Sequence, residues 1–122
     1  MRRISPLRMP PIPQFVAEIK FHFEEHGEDR RRNFVFDETL HRRVPMRMDG
    51  VDGLNTVGMW VDSAAVFEKD EVAVVRCVVI APELFVDVVI PGVRFELLDG
   101  GFFASGKVIE RIDAGWQEAQ GQ

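Results

Sequence analysis

Apolar residues occupy every second position near the start of the chain, and this alternation constrains the fold more than any other feature. Between residues 15 and 24 one parity is largely polar, and the apolar parity consists of Phe15, Ala17, Ile19, Phe21 and Phe23. Successive side chains of a β-strand point to opposite faces, whereas a helix needs apolar residues three or four apart. The pattern therefore predicts a strand with one face in a core.

Seven further strand-like segments follow, separated by turn residues such as Asp, Gly and Pro. The predicted strands are 15–23, 33–36, 44–48, 57–61, 72–80, 84–90, 93–97 and 102–112. Pro45 predicts a sheet edge or a bulge in its strand, and Gly106 predicts a bulge in the last one. Residues 72–80 are apolar on both faces, which is typical of a central strand. Eight short strands with regular turn signals predict an all-β barrel or sandwich.

The 122 residues suffice for one domain with a substantial core. Residues 1–13 are basic and rich in proline, so we expect an extended or disordered arm. The ordered domain is expected to span residues 14–113. Residues 114–122 are mostly polar and are expected to fray, with Trp116 as the residue able to pack back.

Charge and cysteine content narrow the function classes. The net charge of −5 disfavours attraction of the whole molecule to nucleic acid, although a local basic patch stays possible. The single cysteine, Cys77, lies among valines and is predicted to be a buried core residue. It excludes an intramolecular disulfide and fits a reducing, cytoplasmic compartment. No apolar stretch approaches the ~20 residues of a membrane-spanning helix, so no membrane association is expected.

The segment His22-Phe23-Glu24-Glu25-His26 matches a zinc-binding pattern of inverzincin metalloproteases. That chemistry needs both histidines on one helix face, whereas a strand would carry His26 ~13 Å beyond His22. No serine lies in a G-x-S-x-G motif. We therefore predict no enzyme, no metal and no cofactor, and a metal-dependent hydrolase is the least favoured alternative.

The last hairpin resembles a known family. Val93-Arg94-Phe95-Glu96-Leu97-Leu98-Asp99-Gly100-Gly101, followed by Gly106-Lys107-Val108-Ile109, is similar to the closing motif of the C-terminal barrel domain of elongation factor Tu. Phe15-Val16-Ala17-Glu18-Ile19 is similar to the opening of that domain, and Ile80-Ala81-Pro82 stands where the family has an apolar residue, a histidine and a proline. The resemblance covers most of residues 14–113.

This resemblance implies a six-stranded, or slightly larger, antiparallel Greek-key barrel that binds partners and carries no chemistry of its own. In the family this domain contacts the T stem of aminoacyl-tRNA and the nucleotide exchange factor. Two carboxylates, Glu28 and Asp29, stand where the family approaches a phosphate backbone, and Phe102 stands where it commonly has a basic residue. No G-x-x-x-x-G-K-[ST] segment is present, so no nucleotide is expected.

Two binding functions remain open. The first is a protein-binding module, acting as a competitor, a decoy or a toxin-neutralising protein, with Phe102 as a candidate hot spot. The second is an RNA- or tRNA-binding accessory protein of translation, which would use a basic patch. The candidate patch residues are Arg30, Arg31, Arg32, Arg42, Arg43 and Lys107.

Overall fold

The computed structural model describes residues 12–23 and 33–120. Its strands are β1 (Phe15–Phe21), β2 (Asn33–Val35), β3 (His41–Met48), β4 (Asn55–Trp60), β5 (Val66–Glu68), β6 (Val72–Val79), β7 (Arg94–Leu98) and β8 (Phe102–Arg111). A short 3-10 helix spans Pro82–Leu84, and one α-helix, α1, spans Asp113–Gln120. No helix among these residues is long and apolar enough to cross a membrane.

Six strands form a closed antiparallel barrel in the order β1-β6-β4-β3-β7-β8, with β8 paired back to β1. This confirms the all-β, six-stranded barrel. The strand β1 lies beside β6 instead of beside the next barrel strand, β3, so β1, β3, β4 and β6 form a Greek key. The two remaining strands, β2 and β5, make a separate antiparallel ribbon.

The ribbon closes one end of the barrel with aromatic side chains. Its central pair, Phe34 and Phe67, stacks on Phe21 of β1, with ring centroids 5.6 and 5.2 Å apart. Phe34 also stacks on Phe103 of β8, at 4.8 Å. The rings fill a space that aliphatic side chains would leave partly empty, so the phenylalanine-rich sequence is explained largely by the core.

Residues 114–120 were expected to fray, but the structure shows them ordered. Residues 113–120 form α1, and the side chain of Trp116 is buried. Its indole Nε1 donates to the backbone oxygen of Gln14 at 2.9 Å, and the guanidinium of Arg111 lies 4.8 Å from its ring centre. One buried tryptophan with a hydrogen-bond partner therefore outweighs the polar composition of the segment.

The strand prediction missed β5 and is wrong in three further details. Residues 84–90 are not a strand: Pro82 begins a 3-10 helix, and consecutive turns continue to Asp87 and Val88. Gly106 is not at a bulge, since the register irregularities of β8 lie beside Ile109 and Phe103. Residues 72–79 are central in the barrel. Their composition predicted burial on both sides, but most of their outward side chains are exposed.

Pro45 lies where only one side of β3 is paired. It is registered with Thr56 of β4, whereas the pairing of β3 with β7 covers Met46–Met48. Proline lacks a backbone N–H, so this locally one-sided position tolerates it. The predicted edge position is thus confirmed locally, although the barrel as a whole is closed.

Candidate protein-binding surfaces

Arg42 is bound within the fold. Its Nη1 donates to the backbone oxygen of Val35 at 2.8 Å, and its Nη2 lies 3.4 Å from Oδ2 of Asp99. The guanidinium also covers the ring of Phe34, 4.9 Å from its centre. Arg42 therefore joins the ribbon to the β7–β8 turn. The candidate residues Arg30, Arg31 and Arg32 lie outside the described residues.

Arg43 and Lys107 are both exposed on the outside of the barrel, but they are far apart. Lys107 is registered with Arg94, and the amide of Asp49 donates to the backbone oxygen of Arg94 at 3.0 Å. Lys107 therefore lies at the same height on the barrel as Asp49. Asp49 is six residues from Arg43 along the chain, and six residues of extended strand span ~20 Å. The structure does not bring these two cations into one patch.

Phe102 is half-buried, and Phe103 is fully buried against the core. The imidazole of His22 stacks on the Phe102 ring, with centroids 5.4 Å apart and planes at 28°. The Nε2 atom of His22 is 2.8 Å from Oγ of Ser105, which fixes the imidazole in place. One face of Phe102 is therefore already covered, so its value as a hot spot is reduced.

The same contacts bear on the zinc motif. His22 lies just past the end of β1 and is engaged with Ser105 and Phe102, while His26 lies outside the described residues. Among residues 12–23 and 33–120, no group of three His, Cys, Asp or Glu side chains could hold a metal ion.

A groove of about 360 Å³ lies between the start of the described chain, the end of β6 and helix α1. We call it the α1 groove. Its lining consists of Ile12, Gln14, Val78, Val79, Ile80, Pro82, Gly115, Glu118 and Ala119. The volume falls within the range of ligand-sized clefts.

Hydrogen bonds of Gln14 fix the floor of the α1 groove. The side chain is 2% exposed, and its Oε1 accepts from the amide of Val79 at 2.7 Å. Its backbone oxygen accepts from the amide of Ile112 and from Trp116, both at 2.9 Å. The helix approaches so closely that a Cβ on Gly115 would overlap the backbone oxygen of Pro13. The groove is therefore a preformed feature of the fold.

The walls of the α1 groove are mainly apolar. Ile80 is 58% exposed and Ile12 is 43% exposed. The carboxylate of Glu118 accepts from the amide of Ile12 at 3.3 Å, which ties the helix to the start of the chain. Concave apolar surface of this kind favours binding of apolar side chains from another molecule.

A second exposed apolar surface lies on the outside of β1 and β6. Val72 and Val74 of β6 are 51% and 55% exposed, and their registered neighbours on β1 are Lys20 and Glu18. We call these four residues the β1–β6 face. The sequence missed it because residues 72–79 are apolar at both parities, a pattern that indicates burial on both sides.

His41 and Trp60 form a covered pair on the outside of β3 and β4. Their ring centroids are 4.2 Å apart, and the imidazole lies over Gly58, where a Cβ would be 3.2 Å from Nε2. That Nε2 is buried and has no hydrogen-bond partner. Burial lowers the pKa of His41, while the carboxylate of Asp37 opposes that change and Arg43 adds to it. Burial of the ring therefore disfavours the charged imidazolium.

Carboxylates are paired with much of the positive charge on the described surface. The arginine–carboxylate pairs are Arg42–Asp99, Arg47–Glu96, Arg76–Asp62 and Arg111–Asp113. A phosphate would have to compete with these carboxylates, which weakens a nucleic-acid interface on this surface.

No model of a known protein family matches the chain, and a search of curated proteins finds no significant match. The six-stranded antiparallel barrel implied by the resemblance to elongation factor Tu is present. Membership of that family stays a prediction, because a small barrel hosts many unrelated functions.

Proposed function

We propose that this chain is a non-catalytic β-barrel that binds a protein partner, with an apolar segment of the partner seated in the α1 groove. The observation that carries the proposal is the groove itself, a preformed concave surface whose lining includes two exposed isoleucines, Ile12 and Ile80. Full burial of one such side chain on binding contributes about 1.5–3 kcal/mol.

The polar groups of the groove support this proposal. The Gln14 side-chain oxygen is already bonded to Val79, and Glu118 accepts from the Ile12 amide. No serine, cysteine or histidine lines the groove, so its described lining offers no nucleophile. The groove therefore suits an apolar ligand group better than a reacting one.

The resemblance to elongation factor Tu indicates which class of partner the chain would bind. A free barrel similar to the C-terminal domain of that factor would act as a competitor, a decoy or a toxin-neutralising protein for partners of the full factor. Such a role requires binding of a partner without catalysis, which side-chain contacts in the α1 groove of the closed barrel would provide. It also fits the acidic balance of −5 in a reducing cytoplasm.

An accessory role on RNA or tRNA is less well supported. Arg42 is engaged with Asp99, and Arg43 and Lys107 lie far apart along the barrel. Binding carried by cations would fall steeply as salt rises, whereas an apolar contact would not.

The test is a pull-down from source-organism lysate at about 150 mM salt, in which both bound protein and bound RNA are identified. The wild-type chain is compared with Ile80→Asp, which places a charge at the groove, and with Leu54→Asp as a matched control. Leu54 is 52% exposed and lies outside the groove lining, in the β3–β4 connection.

We expect a protein partner that is lost with Ile80→Asp and kept with Leu54→Asp. Retention of the partner by Ile80→Asp would remove the groove as its site. Recovery of tRNA without protein, or no recovered protein at all, would contradict the proposed function.

A further inference from the structure

Two parallel rows of outward-facing side chains cross the β1–β6 face. In the first row Glu18 lies between Val74 of β6 and Lys107 of β8, and in the second row Lys20 lies between Val72 and Ser105. Residues directly opposite each other in antiparallel strands share one face of the sheet, so each row is a contiguous line of side chains.

The line between these rows is occupied by Ile19 and Ala73. These two residues are registered partners, and both side chains are buried inside the barrel. On β6 the outer surface is therefore symmetric about this line, with a valine on each side of Ala73. It is antisymmetric in charge, with an anion on one side of Ile19 and a cation on the other.

A second copy turned by 180° about an axis along this line places each row over the opposite row. Val74 then faces Val72 of the second copy, and Glu18 faces Lys20 of the second copy. By symmetry each contact occurs twice, and on β8 Lys107 faces the neutral Ser105. No like charges oppose each other among these positions, which is the self-complementarity that a twofold interface requires.

We propose that the β1–β6 face is the docking site for a second copy of this chain, in a symmetric dimer centred on β1. Charge complementarity identifies the occupant as a second copy, because Glu18 and Lys20 of this face oppose Lys20 and Glu18 of the same face turned by 180°. The valines, more than half exposed in the single chain, form the apolar centre of the interface. The curved barrel restricts the contact to β1 and its neighbours β6 and β8.

This site is separate from the α1 groove. Along β6, the Arg76–Asp62 ion pair lies between Val74 and Val78, which lines the groove. Dimerisation and partner binding therefore rest on different residues, and either proposal can fail without the other.

The test uses charge reversal and sedimentation equilibrium over a range of protein concentrations. In a Glu18→Lys dimer, lysines at positions 18 and 20 would face each other across the interface. In a Lys20→Glu dimer, glutamates would face each other at the same positions, so each variant alone places like charges in contact. We expect each substitution to raise the dimer dissociation constant at least about tenfold. The double variant Glu18→Lys/Lys20→Glu exchanges the rows and should recover most of the wild-type affinity.

Mixing the two single variants gives the sharpest result. Lysines at positions 18 and 20 of one chain would face glutamates of the other, so a heterodimer should form where neither homodimer does. Glu38→Lys, an equal charge change at an exposed turn position, is the control and should leave dimerisation unchanged.

Three results would overturn the proposal. One is a wild-type chain that stays monomeric to about 1 mM, the scale of a weak dissociation constant. Another is unchanged dimerisation of both single variants. The third is weakened dimerisation that neither the double variant nor the mixture restores. Circular dichroism of each variant establishes that the barrel is folded, and the lysate pull-down reports separately on the α1 groove.

Discussion

The ring of Phe95 occupies the space where a side chain at position 106 would begin. Gly106 and Phe95 are registered partners on β8 and β7, and a Cβ on Gly106 would overlap three atoms of that ring. Phe95 is itself buried and meets Phe15 edge to face, with centroids 6.3 Å apart and planes at 74°. The glycine is therefore required for space, since the ring has no open side to which it can move.

Gly106→Ala should destabilise the barrel by about 1–3 kcal/mol, the usual range for overpacking a core. A loss of stability would be informative, because alanine inside a strand is otherwise favoured over glycine. Urea unfolding measures the change. In a Phe95→Leu background the same substitution should cost clearly less, and an equal cost in both backgrounds would contradict the assigned collision.

Gln14→Leu should lower the free energy of unfolding by about 1–3 kcal/mol, because the buried amide of Val79 loses its acceptor. Helix α1 should stay in place, since Trp116 donates to the backbone oxygen of residue 14, which the substitution retains. Urea unfolding gives the stability change. Circular dichroism and, in a Trp60→Phe background where Trp116 is the one remaining tryptophan, fluorescence report on the helix. Stability equal to wild type would show that the Val79 amide finds another acceptor.

The stability of the barrel should depend on pH through His41. Burial lowers its pKa below the ordinary value of 6.5, with Asp37 opposing and Arg43 adding to the change. The unfolded chain therefore takes up the proton more readily. The stabilisation is complete above pH 6.5 and is lost as pH falls from that value through the folded pKa.

Comparison with His41→Phe isolates this contribution, because phenylalanine retains a ring against Trp60 and cannot titrate. The unfolding free energy of the wild type should fall more steeply than that of the variant between about pH 7.5 and about pH 5.5. Parallel curves would show that His41 does not contribute.

Cys77 should be unreactive in the folded protein. It is free and fully buried, and burial raises the pKa of its thiol. At about pH 8 a maleimide reagent should modify it only after unfolding in urea. Modification of the native chain at the rate seen in urea would show that the β1–β6 side of the barrel opens readily.

The barrel could be predicted because its inward residues alternate strictly. The alternation in β1 and the Gly100–Gly101 turn between β7 and β8 appear in the structure as expected. The mistaken strand at 84–90 has a physical reason: β-branched residues favour strands only when a neighbour is available for pairing, and Pro82 starts a helical turn there. Helix α1 was missed because its burial depends on Gln14, which lies about a hundred residues away in sequence.

The candidate surfaces were harder to predict than the fold. Arg42 is cationic in sequence but is paired with Asp99, a contact between distant strands that no local pattern indicates. The α1 groove needs residues from the start, middle and end of the chain. The β1–β6 face could have been suspected from the adjacent Glu18 and Lys20 positions, but only the register shows which valines lie beside them.

The position of β1 in the barrel has a consequence for how the chain folds. Phe15 is registered with Cys77 and with Arg111, about 60 and about 95 residues later, so β1 is the last strand that can be closed on both sides. At ribosomal speeds of about 5–20 residues per second, its core residues Phe15, Ile19 and Phe21 wait about 5–20 s for β8 to emerge. The hairpins β3–β4 and β7–β8 can form locally, but pairing of β1 on both sides requires β8. The core-facing side chains of this first strand are therefore the ones that stay exposed longest during synthesis.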